Sequence, residues 1–78
     1  MTELVVTVYS KPACVQCTAT KKALERKGIR YTEVDLTTND AALEYVTEEL
    51  GYSAAPVVVV DDHHHWSQFR PDLIDNLA

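Results

Sequence analysis

Two cysteines separated by two residues, Cys14-Val15-Gln16-Cys17, stand where an apolar run ends and a helical pattern begins. Residues three apart on a helix share one face, a turn apart. Such a pair comes within the roughly 4.4–6.8 Å Cα separation that a disulfide requires. A sulfur at the first turn also meets unpaired backbone N–H groups and the positive end of the helix dipole, which favour a thiolate over a thiol. The motif therefore constrains fold and chemistry together. A strand must deliver the chain to the mouth of a helix, with Cys14 ahead of the helix body and Cys17 one turn in.

The flanking residues supply those elements. Leu4-Val5-Val6-Thr7-Val8-Tyr9 is β-branched and nearly continuous in apolar character, the pattern of a strand buried on both faces. Ser10-Lys11-Pro12-Ala13 breaks it with turn chemistry. From Cys14 to Lys27, Val15, Ala19, Ala23 and Leu24 recur at helical spacing, while Lys21, Lys22, Glu25 and Arg26 supply the wet face. Gly28 follows where a left-handed turn ends a helix. Ile29 to Leu36, with Tyr31 and Val34, reads as a second strand. Thr37-Thr38-Asn39-Asp40 offers helix-capping residues, Leu43, Val46 and Leu50 mark one helical face, and Gly51 closes it. Ala55-Pro56 leads into a third strand, Val57 to Val60. Asp61-Asp62 turns, and His63 to Trp66 returns as a short fourth strand. Pro71 is placed as the first residue of a last helix whose buried stripe is Leu73, Ile74 and Leu77.

The order is β-α-β-α-β-β-α. A strand–helix–strand start implies a right-handed crossover and a parallel pair, and the tight connection at Asp61-Asp62 implies an antiparallel hairpin. The expectation is an α/β fold: a mixed four-stranded sheet flanked by three helices, in one domain of residues 1–78.

Composition removes several classes of function. Hydrophobic residues make up 46% and charged residues 24%, the balance of a globular chain and far from disorder. A net charge of −5 repels phosphates, so no nucleic-acid partner is expected. The run Val57–Val60 is far too short to span a bilayer, and no membrane association is expected. Met1-Thr2-Glu3 carries an acid and no basic cluster, so it does not read as a secretory leader. The cytoplasm and a monomer are the expectations. In that compartment disulfides are mostly transient and catalytic. A purely structural staple closing a loop of about four residues contributes only ~2 kcal/mol by the chain-entropy model, against ~3 for fifteen. A C-x-x-C is also half a zinc site, and His63-His64-His65 is a candidate to complete it. Adjacent histidines converge poorly on one ion and no second C-x-x-C exists. No metal is expected, and the triplet reads as a solvated strand or turn.

Attack on a disulfide needs an ionised, accessible sulfur, so Cys14 is the candidate nucleophile and the more buried Cys17 the resolver. Lys11 is a candidate for adding positive charge beside Cys14. Pro56 holds Ala55 extended and begins a strand without donating a ladder hydrogen bond.

The element order, the C-x-x-C at the first helix and the proline before the third strand resemble the thioredoxin fold in its compact glutaredoxin-sized form. Lys11-Pro12-Ala13-Cys14-Val15-Gln16-Cys17, taken with Trp66-Ser67-Gln68-Phe69-Arg70-Pro71-Asp72, is similar to the NrdH redoxins, and the likeness runs over essentially the whole chain. The resemblance implies a thiol–disulfide oxidoreductase that reduces the large subunit of class Ib ribonucleotide reductase. Its reductant would be thioredoxin reductase, so NADPH is used indirectly and the redox-active Cys14–Cys17 disulfide takes the place of a bound cofactor. It further implies a cis Pro56 across from Cys14, where the backbone at Ala55 pairs with an incoming peptide. Lys11, Val15 and Gln16 then belong to the partner-binding surface, and Trp66, Ser67, Phe69 and Arg70 brace the junction of the last strand and last helix.

Two departures from the family pattern stand out: Gln68 where a glycine is usual, and Ala54 where threonine or glutamine is usual. A turn needing positive φ costs Gln more than Gly. Two other functions remain open. A glutathione-dependent glutaredoxin carries a Gly-Gly turn and an acidic pair before its last helix, and Asp61 to Ser67 has no Gly-Gly. A non-catalytic or zinc-binding module is the other.

Overall fold

In the computed structural model, which describes residues 5–77, the β-branched run forms the central strand β1 (Val5–Ser10). Leu4 of the expected strand and the Met1-Thr2-Glu3 segment lie outside the described residues. Helix α1 (Val15–Arg26) crosses over to β2 (Arg30–Asp35), which runs parallel to β1. After a second helical segment, β3 (Val57–Asp61) pairs antiparallel on the other side of β1, and β4 (His64–Ser67) pairs antiparallel with β3. The sheet order is β2-β1-β3-β4, and a short helix α3 (Pro71–Asp75) follows β4. This is the βαβαββα thioredoxin topology, with the mixed four-stranded sheet expected from the element order.

Alternation along the strands sorts side chains onto two faces. Val6 and Val8 of β1, Val58 of β3 and Trp66 of β4 pack with Leu24 of α1, Ile29 and Ile74 of α3 into one core. Each fully buried aliphatic side chain there contributes about 1.5–3 kcal/mol. The opposite face is only partly covered: Thr7 and Tyr9 are half-buried and Val5 is exposed, so β1 is not buried on both sides as its apolar run suggests. Cover on that face comes from α2 (Asp40–Glu44), capped by Asn39, whose side chain accepts from the Ala42 N–H at 3.0 Å. The helix then widens over Tyr45–Glu49, where the Leu50 N–H reaches five residues back to the Tyr45 carbonyl at 3.1 Å. Tyr9 meets Tyr45 across this layer, with ring centroids 5.9 Å apart.

Three local expectations are corrected. Val15 is not part of the buried stripe of α1 but stands 84% exposed. It lies nine residues, two and a half turns, from Leu24, which places it on the opposite side of the helix; the buried stripe is Cys17, Thr20 and Leu24. Leu43 is 44% exposed and Ala42 takes the buried place, four residues before Val46. The hairpin turn falls at Asp62-His63, one residue late. Asp61 pairs with His64 and its Oδ1 accepts from the His63 N–H at 2.9 Å, while Val60 is left between the Val59–His65 and Asp61–His64 pairs.

The remaining punctuation follows the residue types. Gly28 (φ +71°) ends α1 in the left-handed region, with the Ile29 N–H returning to the Leu24 carbonyl at 3.0 Å. Pro71 occupies the first turn of α3, where its missing N–H costs nothing. Among the described residues no helix is long and apolar enough to cross a membrane.

Candidate active site

Strand pairing decides where the site lies. Tyr9 near the end of β1 pairs with Val57 at the start of β3, and Val57 pairs with Ser67 at the end of β4. The chain therefore leaves β1 into residues 11–14, enters β3 from residues 54–56 and leaves β4 into residues 68–70 at one end of the sheet. The mouth of α1 opens onto that same end.

Cys14 is the N-cap of α1, with extended backbone (φ −113°, ψ 107°), and is half-buried. Its Sγ accepts from the Cys17 N–H at 3.2 Å, in the manner of a capping hydroxyl. No acidic residue lies in the first turn of α1 to oppose negative charge there. Cys17 is one turn in and only 2% exposed. The two sulfurs are joined in a disulfide, with Cα atoms 5.2 Å apart. Ala13, just before Cys14, adopts φ +55°, an L-residue in the left-handed region at the point where the loop turns into the helix.

An open cavity of about 730 Å³ lies beside the pair, lined by Lys11, Cys14, Cys17, Lys21, Glu33 and Asp35 among others. Lys11 is exposed and also lines a smaller apolar cavity of about 280 Å³ that includes Ala55. Val15 projects into solvent next to Cys14. Gln16 plays a part the spacing did not reveal: its Oε1 accepts from the Phe69 N–H at 3.0 Å, tying the cysteine loop to a residue 53 positions away.

The Ala55–Pro56 peptide bond is cis, and Pro56 is buried. The Pro56 carbonyl accepts from the Gln68 N–H at 2.7 Å, and the Ala54 carbonyl accepts from Ser67 Oγ at 2.6 Å. Gln68 sits at φ +69°, the conformation that favours glycine. Trp66 is buried in the core with no partner for its Nε1, and Phe69 is half-buried against the same core. Arg70 lies outside this network. Its Nε and Nη2 donate to Asp72 Oδ1 and Oδ2 at 3.2 and 2.9 Å, an exposed pair that holds the Asp72 carboxyl below its ordinary range.

Sequence reading missed a polar cluster on the cavity wall. Glu33 Oε2 accepts from Lys21 Nζ and from Ser10 Oγ, each at 2.7 Å, and the Lys21 and Ser10 bonds hold its carboxyl below the usual glutamate range. The only signal for Lys21 is its place four residues after Cys17 on one helix face. Ser10 is buried at the end of β1, and nothing in its neighbours marks it. Among the described residues no three His, Cys, Asp or Glu side chains gather as a metal site. His63 and His64 are exposed, while His65 Nδ1 lies 2.8 Å from Tyr52 Oη.

A disulfide-forming C-x-x-C at a helix mouth, on a thioredoxin-type sheet, defines a thiol–disulfide oxidoreductase. Comparison with known proteins narrows the class. The glutaredoxin family profile matches residues 6–65. The glutaredoxin-like protein NrdH of Lactococcus lactis is 41% identical over 94% of this chain and 99% of its own, and NrdH of Escherichia coli is 38% identical over 92% and 86%. The solved NrdH-redoxin of Escherichia coli superposes with a TM-score of 0.88 at 36% identity, covering 96% of each chain. The chain belongs to the glutaredoxin family and, within it, to the NrdH glutaredoxin-like proteins.

Proposed function

We propose that this protein is a cytoplasmic, monomeric dithiol carrier that reduces the disulfide of the class Ib ribonucleotide reductase large subunit and is itself reduced by thioredoxin reductase with NADPH. The observation that carries the reading is the Cys17 N–H aimed at a half-buried Cys14 Sγ, with Cys17 itself buried behind it. A backbone donor and a helix N-terminus both favour a sulfur anion at that point. In the forward reaction the Cys14 thiolate attacks one substrate sulfur. The substrate S–S bond breaks, its other sulfur leaves with the electron pair, and a mixed disulfide forms at Cys14. Cys17 then loses its proton to solvent and attacks Cys14 Sγ, and the second substrate sulfur leaves and is protonated. The protein has given up two electrons and holds the Cys14–Cys17 disulfide.

Lys11 and Val15 flank the attacking sulfur and are assigned to the partner surface with Ala55, whose backbone precedes Pro56. Gln16 is assigned there too and, through Phe69, it also holds the cysteine loop in place. Support for thioredoxin reductase over glutathione comes from the segment Asp61 to Ser67, which lacks a Gly-Gly turn. The 36%-identical relative is described as having a thioredoxin-like activity profile, which favours the same choice.

The test is a choice of reductase. The protein is supplied with NADPH and thioredoxin reductase, or with NADPH, glutathione and glutathione reductase, and NADPH oxidation is followed with insulin or a ribonucleotide reductase tail peptide. Rapid turnover with thioredoxin reductase alone is expected. A preference for the glutathione system overturns the reading.

A further inference from the structure

Thr20 is fully buried, at 0% exposure, and its Oγ1 has no hydrogen-bond partner. Buried hydroxyls are nearly always satisfied, and an orphan in a native interior calls for a reason, a redox role among them. A helical threonine ordinarily donates to the carbonyl three or four residues back. This one does not.

Its position suggests what it waits for. Thr20 follows Cys17 by three residues on the same buried stripe of α1. Side chains on a helix lean toward the preceding turn, so Thr20 overlies the turn that carries Cys17. In the oxidised protein Cys17 Sγ is bonded to Cys14. Divalent sulfur is a weak acceptor, whereas a thiolate accepts a charge-assisted hydrogen bond.

We propose that Thr20 is a positioning residue for the redox pair, whose hydroxyl donates to Cys17 Sγ in the reduced and mixed-disulfide states and loses that partner when the Cys14–Cys17 bond closes. The inference rests on the dithiol reading above. In the resolving step Cys17 releases its proton to solvent, its Sγ bonds to Cys14 Sγ, the Cys14–substrate bond breaks, and the substrate sulfur leaves with the electron pair. Thr20 keeps its own proton throughout. Its hydroxyl steadies the attacking anion and turns away from a satisfied bond as the disulfide forms. The orphan in the oxidised state and the bond in the reduced state act in one direction: both favour the dithiol.

Thr20→Val keeps the shape and removes the donor, and Thr20→Ser keeps the donor. Each oxidised protein is equilibrated with a dithiothreitol couple, which supplies the two electrons and becomes the cyclic disulfide. Thr20→Val is expected to shift the equilibrium about tenfold toward the protein disulfide, a potential about 30 mV more negative for a two-electron couple. Its oxidised form should melt higher than wild type and its reduced form lower. In a Cys14→Ser background, alkylation of Cys17 by iodoacetamide should move to higher pH. Thr20→Ser should restore all three. A Thr20→Val protein with an unchanged exchange constant and alkylation profile, or with both redox forms shifted alike in melting temperature, overturns the proposal. Failure of the wild-type protein to exchange with any thiol overturns the dithiol reading instead, and the inference with it.

Discussion

Gln68→Gly is the sharpest test of the backbone that supports the site. Gln68 is held at φ +69° while its N–H donates to the Pro56 carbonyl at 2.7 Å. An L-residue in the left-handed region costs roughly 1–2 kcal/mol. Glycine removes that cost but adds unfolded-state freedom worth roughly 0.5–1 kcal/mol. The donor N–H is retained, and the Gln68 side chain is exposed, so little packing is lost. The net expectation is a gain of about 0.5–1 kcal/mol. Unfolding entropy near the melting point is about 2.1 cal/mol/K per residue, which for 78 residues is roughly 0.16 kcal/mol/K. The melting temperature of the oxidised protein should therefore rise by about 3–6 °C, measured by far-ultraviolet circular dichroism. Gln68→Ala keeps the unfavourable φ and serves as the control, expected within about 1–2 °C of wild type. If glycine melts no higher than alanine, the reasoning from backbone conformation is refuted.

Other variants probe the chemistry and the core. Cys14→Ser should abolish disulfide reduction, while Cys17→Ser should accumulate a mixed disulfide with a protein substrate, visible on a non-reducing gel; full multiple turnover by Cys17→Ser contradicts the two-cysteine scheme. The Glu33 carboxyl is held below its unfolded value, so its pairing stabilises the fold above pH about 4.3 and is lost as pH falls through the lower folded value. The pair is substantially exposed, so Glu33→Gln should cost under about 1 kcal/mol at pH 7. That difference should shrink toward zero below pH about 4 in parallel denaturant titrations; a difference constant from pH 7 to pH 3 assigns the loss to something other than charge. Leu24→Ala leaves a hole in the core at a fully buried position and should cost about 3 kcal/mol by urea unfolding, with a loss under about 1 kcal/mol showing that the core closes around it.

How much was legible depended on the range of the interaction. Strand valines, the Gly28 terminator, the Asn39 cap and Pro71 at the start of α3 all act within a few residues, and their elements appear where those residues stand. The C-x-x-C was legible because its chemistry lies in its spacing. Val15 misled because an apolar residue nine positions from Leu24 belongs to the stripe only if phase is ignored. The hairpin turn shifted by one residue because the Asp61 side chain, rather than the pattern of turn-forming types, selects the turning peptide. The Ser10–Lys21–Glu33 cluster was invisible for a different reason. Its members come from β1, α1 and β2, and only the parallel pairing of β1 with β2 brings them to one wall.

The same distinction explains why Trp66 to Arg70 reads as a motif without declaring its purpose. Ser67, Gln68 and Phe69 are consecutive, and each donates to a different residue: Ala54 and Pro56 ahead of β3, and Gln16 in the first turn of α1. One of those acceptors is the proline itself, another lies two residues before it, and the third lies between the cysteines. One short segment thus fixes the two loops at the C-x-x-C end of the sheet relative to each other. The left-handed Gln68 is the middle one of these three donors, at the point where the chain leaves β4 for α3. The unfavourable conformation is tolerated because the hydrogen bonds on either side of it depend on the turn. Loosening the turn without relieving φ should therefore disturb the spacing of Cys14 and Pro56 more than it disturbs the core. In contrast, Gln68→Gly relieves φ while keeping all three bonds, and should leave that spacing unchanged.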